Sequence, residues 1–444
     1  ELLKGKKVMV EYTDPNPFKE FHIGHLMSNT IGESISRLIE FSGADVKRAN
    51  YQGDVGPHVA RALWGLKNGH GSLESTEALG AAYAAGAQAH DENAEEINAI
   101  NKAVYLKTDP EINELYEKGR TVSLEHFEKI YEILGTKFDY YFFESEVWKD
   151  GTQKVKDNIG PVFVESDGAV IFKGEEYDKT LHTRVFLNSE NLPTYEAKDI
   201  GLPYAKLSKG DFDRLITITA TEQKEYFRVV LKALEQIDAK VAEKVVHLSH
   251  GMMKLATGKM SSRTGDVISA ERLLGEVKQA SLEMMEERDV SEKEESAEIV
   301  AVGALKYMIL RGAAGKDIVF DLEKSLSFEG DSGPYLQYAH TRAHTILKKV
   351  KDVQNIDANQ KETTDLEKLL YRFPEVVLHA RREREPHHVV TYLTELAGAF
   401  NSFYAQEKII GGENEKYNLA LTKAFKITMK NGLHILGIRV PEKM

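Results

Sequence analysis

The sequence predicts an α/β chain: a Rossmann-type parallel sheet carrying a helical insertion, followed by an all-α helical bundle. Three observations lead there. Short apolar runs alternate with amphipathic stretches of helical length near the start and again before residue 285, which is the pattern of βαβ units. Between them, from about 68 to 183, polar helices dominate, Ala-rich over Leu79–Ala89 and acidic over Asp91–Glu96. From about 269 onward the pattern is almost wholly helical.

In chain order, residues 6–12 read as a buried strand, and Thr13 to Glu20, with Pro15 and Pro17, as a loop. A helix over about 24–41 ends at Gly43, a suitable C-cap, and Val46–Tyr51 is a second strand closed by Gly53-Asp54-Val55-Gly56-Pro57. That makes one right-handed βαβ unit. After the insertion, strands are expected at Ala169–Phe172, Thr183–Leu187 and Leu215–Thr219, with Thr221 as N-cap of a helix over Glu222–Ile237, and a last strand at Val245–Ser249. In the helical half Ser291 and Glu294 suit a capping box, and Pro334, Pro374 and Pro386 punctuate the helices. The division is 1–285 for the catalytic domain (halves 1–67 and 184–285, insertion 68–183), 286–327 for a connecting region and 328–444 for the bundle.

Composition narrows the function. The chain has 444 residues, 42% hydrophobic and 29% charged, enough for two or three domains with sizeable cores. No run approaches the length of a membrane span, and no leader opens the sequence. There are no cysteines, which removes disulfides, thiolate metal sites and cysteine nucleophiles and is compatible with a cytoplasmic protein. A net charge of −12 argues against an indiscriminate nucleic-acid binder but leaves room for local basic tracks. The chain opens at Glu1 and enters a strand almost at once, which reads as a fragment.

Two motifs carry chemistry. His22-Ile23-Gly24-His25 stands between the first strand and the first helix, where free N–H groups of a helix N-terminus receive phosphate. Its imidazoles can donate to phosphate oxygens, and Gly24 lets backbone lie close to base or ribose. Far downstream, Gly258-Lys259-Met260-Ser261-Ser262-Arg263 forms a Lys-bearing loop that can neutralise a leaving pyrophosphate. The pair suggests activation of a carboxylate by ATP. The alternative for His22 and His25 is a pair of capping or solvated histidines.

With these motifs the chain resembles the arginyl-tRNA synthetases, a branch of the class I aminoacyl-tRNA synthetases. The resemblance also rests on Glu11-Tyr12-Thr13-Asp14-Pro15-Asn16, Tyr195-Glu196-Ala197-Lys198-Asp199, Phe320-Asp321, Gly333-Pro334-Tyr335-Leu336-Gln337-Tyr338-Ala339-His340 and Leu436-Gly437-Ile438-Arg439-Val440-Pro441-Glu442. It implies ligation of L-arginine to tRNA(Arg) through an arginyl-adenylate. ATP would lie on His22, Gly24, His25, Lys259, Met260 and Ser261, with Mg2+ accompanying the phosphates and no protein-held metal. Arginine would meet Glu11, Asn16, Tyr195, Asp199 and Gln223. A guanidinium has five donors and no acceptor, so its pocket needs carboxylates, and Asp199 is the best bidentate clamp. The other reading of Glu11 and Asp199 is solvated charge at a strand end or loop.

The chain departs from the family pattern in two places. Ser262 replaces the second lysine of the family's Lys-Met-Ser-Lys-Ser loop, so Lys19, with His22, His25 and Lys259, is expected to serve the reacting phosphates, Arg263 being the rival cation. The family's N-terminal tRNA-elbow domain is not represented, which predicts weak, salt-dependent tRNA binding. Arg342, Lys348, Lys349 and Lys351 form an acid-free tract, and His340, His344, Lys348 and Lys351 share a face by helical spacing. They are candidates for phosphate contact or simply a solvated face. Tyr392, Phe400, Phe403 and Tyr404 could stack on anticodon bases, but their spacing suits a helix core for most of them. A monomer is expected, with no membrane partner. Two other readings stay open: a tRNA-binding paralogue without catalysis, and a nucleotidyltransferase that acts without tRNA.

Overall fold

The computed structural model describes residues 2–256, 269–285, 292–350, 363–441 and 444. Two compact units emerge: a sheet unit of 5–28 and 45–249, and a helical unit of 1–4, 29–44 and 250–444.

The sheet unit is built on β1 (Lys7–Glu11), the start of α1 (Ile23–Phe41) and β2 (Asp45–Gln52). The strands pair in parallel, with Val8 opposite Val46 and Glu11 opposite Ala49. Apolar β1 is buried on both faces, as a central parallel strand must be. Four helices follow: α2 (Pro57–Lys67), α3 (Thr76–Gln88), α4 (Ala94–Leu106) and α5 (Pro110–Leu134). Asp109 caps α5 and Pro110 opens it, while Gly135, with φ of 67°, ends it in the left-handed region that glycine tolerates best. Next come β3 (Tyr140–Phe143), α6 (Glu144–Asp157) and a small antiparallel sheet of β4 (Val164–Ser166), β5 (Ala169–Lys173) and β6 (Thr183–Leu187). The unit closes with α7 (Tyr195–Leu207), β7 (Arg214–Ala220), α8 (Lys224–Ile237), the short α9 (Ala239–Ala242) and β8 (Val245–His250).

The main sheet has the order β3-β2-β1-β7-β8. Connections run outward in opposite directions from β1 and β7, which are parallel neighbours. A crevice therefore opens at their carboxyl ends, the place where such sheets bind ligands.

The helical unit holds β9 (Met253–Leu255), α10 (Ala270–Met284), α11 (Lys293–Leu310), β10 (Ile318–Phe320), α12 (Leu322–Ser325), α13 (Gly333–Lys348), α14 (Asp365–Glu383), α15 (His387–Gln406) and α16 (Glu415–Ile435). Its C-terminal segment is fastened by buried polar groups: Ser34 Oγ donates to the Ile435 carbonyl at 3.0 Å, Lys306 Nζ to that of Gly437 at 2.8 Å, and Gln337 Nε2 to that of Arg439 at 2.7 Å.

Four sequence expectations need correction. The stretch read as an insertion contains a strand of the main sheet, β3, paired in parallel with β2; its four aromatic residues show neither alternation nor helical period. Thr221 is not a helix N-cap: Thr221–Gln223 forms a 3-10 turn, and α8 starts after it without a side-chain cap. Pro374 lies inside α14, whose apolar face against the bundle outweighs the hydrogen bond that proline cannot make. The helical half also contains a two-stranded parallel ladder, β9 with β10. Ser291, of the expected capping box, lies outside the described residues.

Candidate active site

Glu11, the last residue of β1, starts the site. It is buried and ion-paired with Lys206 Nζ of α7 at 2.7 Å, which also donates to Thr217 Oγ1 of β7 at 3.2 Å. The chain then turns sharply: Thr13, Asp14 and Phe18 all have positive φ, at 82°, 48° and 68°. Non-glycine residues take that conformation only when their surroundings hold them there. Here Thr13 N–H donates to Ser28 Oγ at 2.9 Å, Tyr51 N–H to Asp14 Oδ1 at 2.8 Å, and Phe18 N–H to Ser123 Oγ at 3.0 Å.

The turn delivers a group of carboxylates. Asp14, Glu11 and Asp199 lie within electrostatic reach of one another, and Asp199 also senses Glu144 and Glu196. Three of the five are paired: Glu11 with Lys206, Glu144 with Lys198 at 2.6 Å, and Glu196 with Arg184 at 3.1 Å. Burial alone would lower Lys198, but the Glu144 carboxylate outweighs it and keeps the ammonium charged. Asp14 and Asp199 have no ion pair among the described residues. Burial raises Asp199 to about 8; a 2.6 Å hydrogen bond from the Tyr226 hydroxyl opposes that rise, and the charges of Glu144, Glu11 and Glu196 add to it. Burial and the Glu11 charge likewise push Asp14 well up. The Tyr51 hydroxyl, close to Glu144, Asp199, Tyr226 and Glu11, is buried with no hydrogen-bond partner among the described residues. A cluster with two surplus carboxylates and an orphaned hydroxyl suits a cationic, donor-rich ligand.

Tyr195, in the first turn of α7 and half exposed, stands one turn before Asp199, with Lys198 Nζ 4.9 Å from its ring centre. The Asn16 side chain crosses Gly53 so closely that a Cβ there would overlap its oxygen. Gln223 is exposed in the turn after β7, at the same end of the sheet.

The paired-histidine motif lies beside this cluster in sequence and on the same sheet end. The rings of His22 and His25 stack at 3.6 Å. Gly24 N–H donates to His22 Nδ1 at 3.1 Å, and His22 N–H donates to His25 Nδ1 at 3.2 Å. With Nδ1 accepting, each neutral ring carries its proton on Nε2, ready for a phosphate oxygen. Burial first, and then the charge of Lys19, lower His22 to about 4; burial, then His22 and then Lys19 put His25 well below its ordinary value, so both are neutral at pH 7. Lys19 Nζ sits 4.8 Å over the Tyr83 ring. Lys259, Met260, Ser261 and Arg263 lie outside the described residues.

Beside the close approach of backbone to base or ribose expected from the sequence, Gly24 makes room for the His22 ring. A Cβ there would lie 2.9 Å from His22 Cε1 and 3.0 Å from Nδ1. Gly24→Ala should therefore expel the His22 ring and raise the KM for ATP by about tenfold, the worth of one charge-assisted hydrogen bond, with the arginine KM little changed. Steady-state pyrophosphate exchange measures both.

Sequence reasoning passed over Asp14, Glu144, Lys198, Lys206 and Tyr226. One signal was present: Lys198 and Lys206 fall on the same side of a helix that must pack on the sheet, and a buried cation needs a buried anion. Nothing in the sequence names those anions.

Residues 1–322 match the family "tRNA synthetases class I (R), catalytic domain", and residues 336–444 match the DALR anticodon binding domain. The arginine–tRNA ligase of Treponema denticola is 32% identical, over 100% of this chain and 80% of its own length; that of Clostridium kluyveri is also 32% identical, over 100% and 81%. Among solved structures, the arginyl-tRNA synthetase of Thermus thermophilus superposes with a TM-score of 0.84 at 26% identity, covering 100% of this chain and 84% of that one. The chain belongs to the arginyl-tRNA synthetase family of class I.

Proposed function

We propose that the chain is an arginine–tRNA ligase whose amino-acid pocket is the carboxylate cluster of Glu11, Asp14, Glu144 and Asp199. The observation that carries the reading is a pair of buried carboxyl groups, Asp14 and Asp199, left without an ion pair among the described residues and therefore available to a cationic ligand. A carboxylate oxygen of arginine attacks the α-phosphorus of ATP; arginyl-adenylate forms and pyrophosphate leaves. A ribose hydroxyl at the tRNA 3′ end then attacks the carbonyl carbon, forming the ester and releasing AMP. In the first step Asp199 and Asp14 take the guanidinium and ammonium charges, with Tyr195, Asn16 and Gln223 at the pocket wall. His22 and His25 donate from Nε2 to phosphate oxygens, and Lys19 meets the charge that develops on them. Two imidazoles and an ammonium suit phosphate better than a hard cation, so Mg2+ would arrive on the nucleotide. No group of three or more His, Asp or Glu suited to a metal ion occurs among the described residues. No described helix is long and apolar enough to cross a membrane, and the cytoplasm is the proposed compartment.

The test is ATP–pyrophosphate exchange with arginine, lysine or citrulline, each with and without tRNA(Arg). Citrulline has nearly the shape of arginine without its charge. Exchange with arginine alone among the three supports the pocket; none with any amino acid would leave the non-catalytic tRNA-binding reading.

For tRNA, α13 carries no acid at all and α16 only one, Glu415, in its first turn. His340 has both ring nitrogens buried without a hydrogen-bond partner among the described residues; burial first, then Lys426, His344 and Lys430, lower it to about 4. Lys348 and Lys349 are exposed, whereas Arg342 is held by Asn401 Oδ1 at 2.7 Å and lies between the rings of Tyr338 and Tyr404, 4.7 and 4.9 Å from their centres. Arg342 therefore supports a stacking platform and is not a free phosphate contact. Lys351 lies outside the described residues. Tyr392, Phe400 and Phe403 are core, and Tyr404 is exposed. Replacing Lys426 and Lys430 by Ala should flatten the slope of log affinity for tRNA against log salt by about two units if both meet phosphate, and Lys348 with Lys349 likewise. An unchanged slope would make that pair a solvated face.

A further inference from the structure

The helical stretch between β2 and β3 does more than interrupt the sheet, and Asp54 shows how. Asp54 stands in the loop after β2 with its side chain fully buried, and four donors converge on it. Ser145 N–H reaches Oδ1 at 2.9 Å. Ser145 Oγ, Arg120 Nε and the Tyr116 hydroxyl reach Oδ2 at 2.7, 2.9 and 3.1 Å. Two of these residues, Tyr116 and Arg120, are one turn apart on α5. Ser145 is the second residue of α6, whose own N-cap position, Phe143, offers no capping side chain. Asp54 thus caps α6 from another part of the chain, with the carboxylate at the helix end that favours negative charge. Arg120 also lies 4.0 Å over the Phe143 ring, so the corner between β3 and α6 is gripped from two sides.

The residue at that corner is Glu144, whose Oε2 meets Lys198 in the amino-acid pocket. Neighbouring Gly53 leaves just enough room for both Asn16 and Glu144. The same helix, α5, holds the nucleotide side of the site. Ser123 Oγ accepts the Phe18 N–H, Gly119 opens space for the Phe18 ring, and Phe127 and Tyr131 pack at 6.1 and 6.2 Å from Phe21, which in turn packs 5.1 Å from His25.

We propose that Asp54 is a positioning residue through which helix α5 fixes Glu144 in the arginine pocket, so that one helix sets both the amino-acid side and the nucleotide loop. The inference rests on the arginine pocket described above. It assigns Asp54 no contact with substrate. A merely structural role would lower the fraction of active enzyme and leave the KM values of the survivors unchanged. Positioning predicts a selective effect instead.

The experiment uses the full chain with tRNA(Arg) present. Asp54→Asn keeps the shape but puts an NH2 against Ser145 Oγ and Arg120. Its pyrophosphate exchange should show the KM for arginine raised about tenfold or more by misplacement of Glu144, with the KM for ATP within about twofold of the parent. Ser123→Ala should do the reverse, raising the KM for ATP and sparing arginine. Active-site titration normalises both variants. If Asp54→Asn does not fold, Ser145→Ala removes only the hydroxyl bond and should shift the arginine KM in the same direction. An arginine KM unchanged in the folded, titrated variant overturns the proposal, and so does an equal rise in both KM values. Failure of the parent chain itself to exchange with arginine would instead overturn the pocket on which the proposal rests.

Discussion

Asp199→Ala should raise the arginine concentration needed for half-maximal exchange by at least ~100-fold, corresponding to loss of about 3 kcal/mol or more from a charge-assisted pair, while ATP binding stays nearly intact. Asp199 is one of two carboxylates in the cluster without an ion pair, and it is oriented by the Tyr226 hydroxyl. The same residue sets a pH dependence. Its folded value of about 8 means that the free protein holds a proton there at neutral pH. A guanidinium needs the carboxylate, so arginine binding releases that proton. Affinity should therefore weaken as pH falls below about 8, by up to tenfold per unit, and level off above it. Calorimetry in buffers of different ionisation enthalpy reads the released proton directly. Unchanged arginine dependence in Asp199→Ala, or binding without proton release at pH 7, would remove Asp199 from the pocket.

Lys19→Ala should lower the rate of adenylation by ~100-fold or more with little change in arginine affinity. Among the described residues near His22 and His25, Lys19 is the cation that influences both rings. It is held over Tyr83, with no carboxylate paired to it among the described residues. Both imidazoles are neutral at working pH and supply hydrogen bonds but no charge. The charge that builds on the leaving pyrophosphate needs a cation, which Ser262 cannot supply. Arg263→Ala, measured beside it with tRNA present, is the control. A normal rate in Lys19→Ala with a collapse in Arg263→Ala would reassign the role to Arg263.

Several elements were legible from sequence because their signals are local. β1, α1, β2, β6 and β7 appear where apolar runs, helical period and Gly43 mark them. The histidine motif stands at the start of a helix because the order strand, proline-stiffened loop, amphipathic stretch leaves few other folds. Tyr392, Phe400 and Phe403 fill a core, as their spacing implies. β3 was missed because a four-residue aromatic run has no period, and its place in the sheet comes from pairing with β2. Thr221 failed as a cap because a side chain caps only if the backbone turns there, and a 3-10 turn intervened.

What the sequence by itself determined is the order of most strands and helices, the lack of cysteine and with it of thiol chemistry, and the place of the histidine motif at a helix start. Only the tertiary structure decided which charges meet. Glu11 finds Lys206, Glu144 finds Lys198, and Asp54 gathers Tyr116 and Arg120 of α5 and Ser145 of α6. Periodicity follows from the geometry of one helix or strand and is therefore written locally. A buried carboxylate, by contrast, takes its partner, its protonation and its role from whatever the rest of the chain brings within a few ångströms, and that is set by packing among elements far apart in sequence.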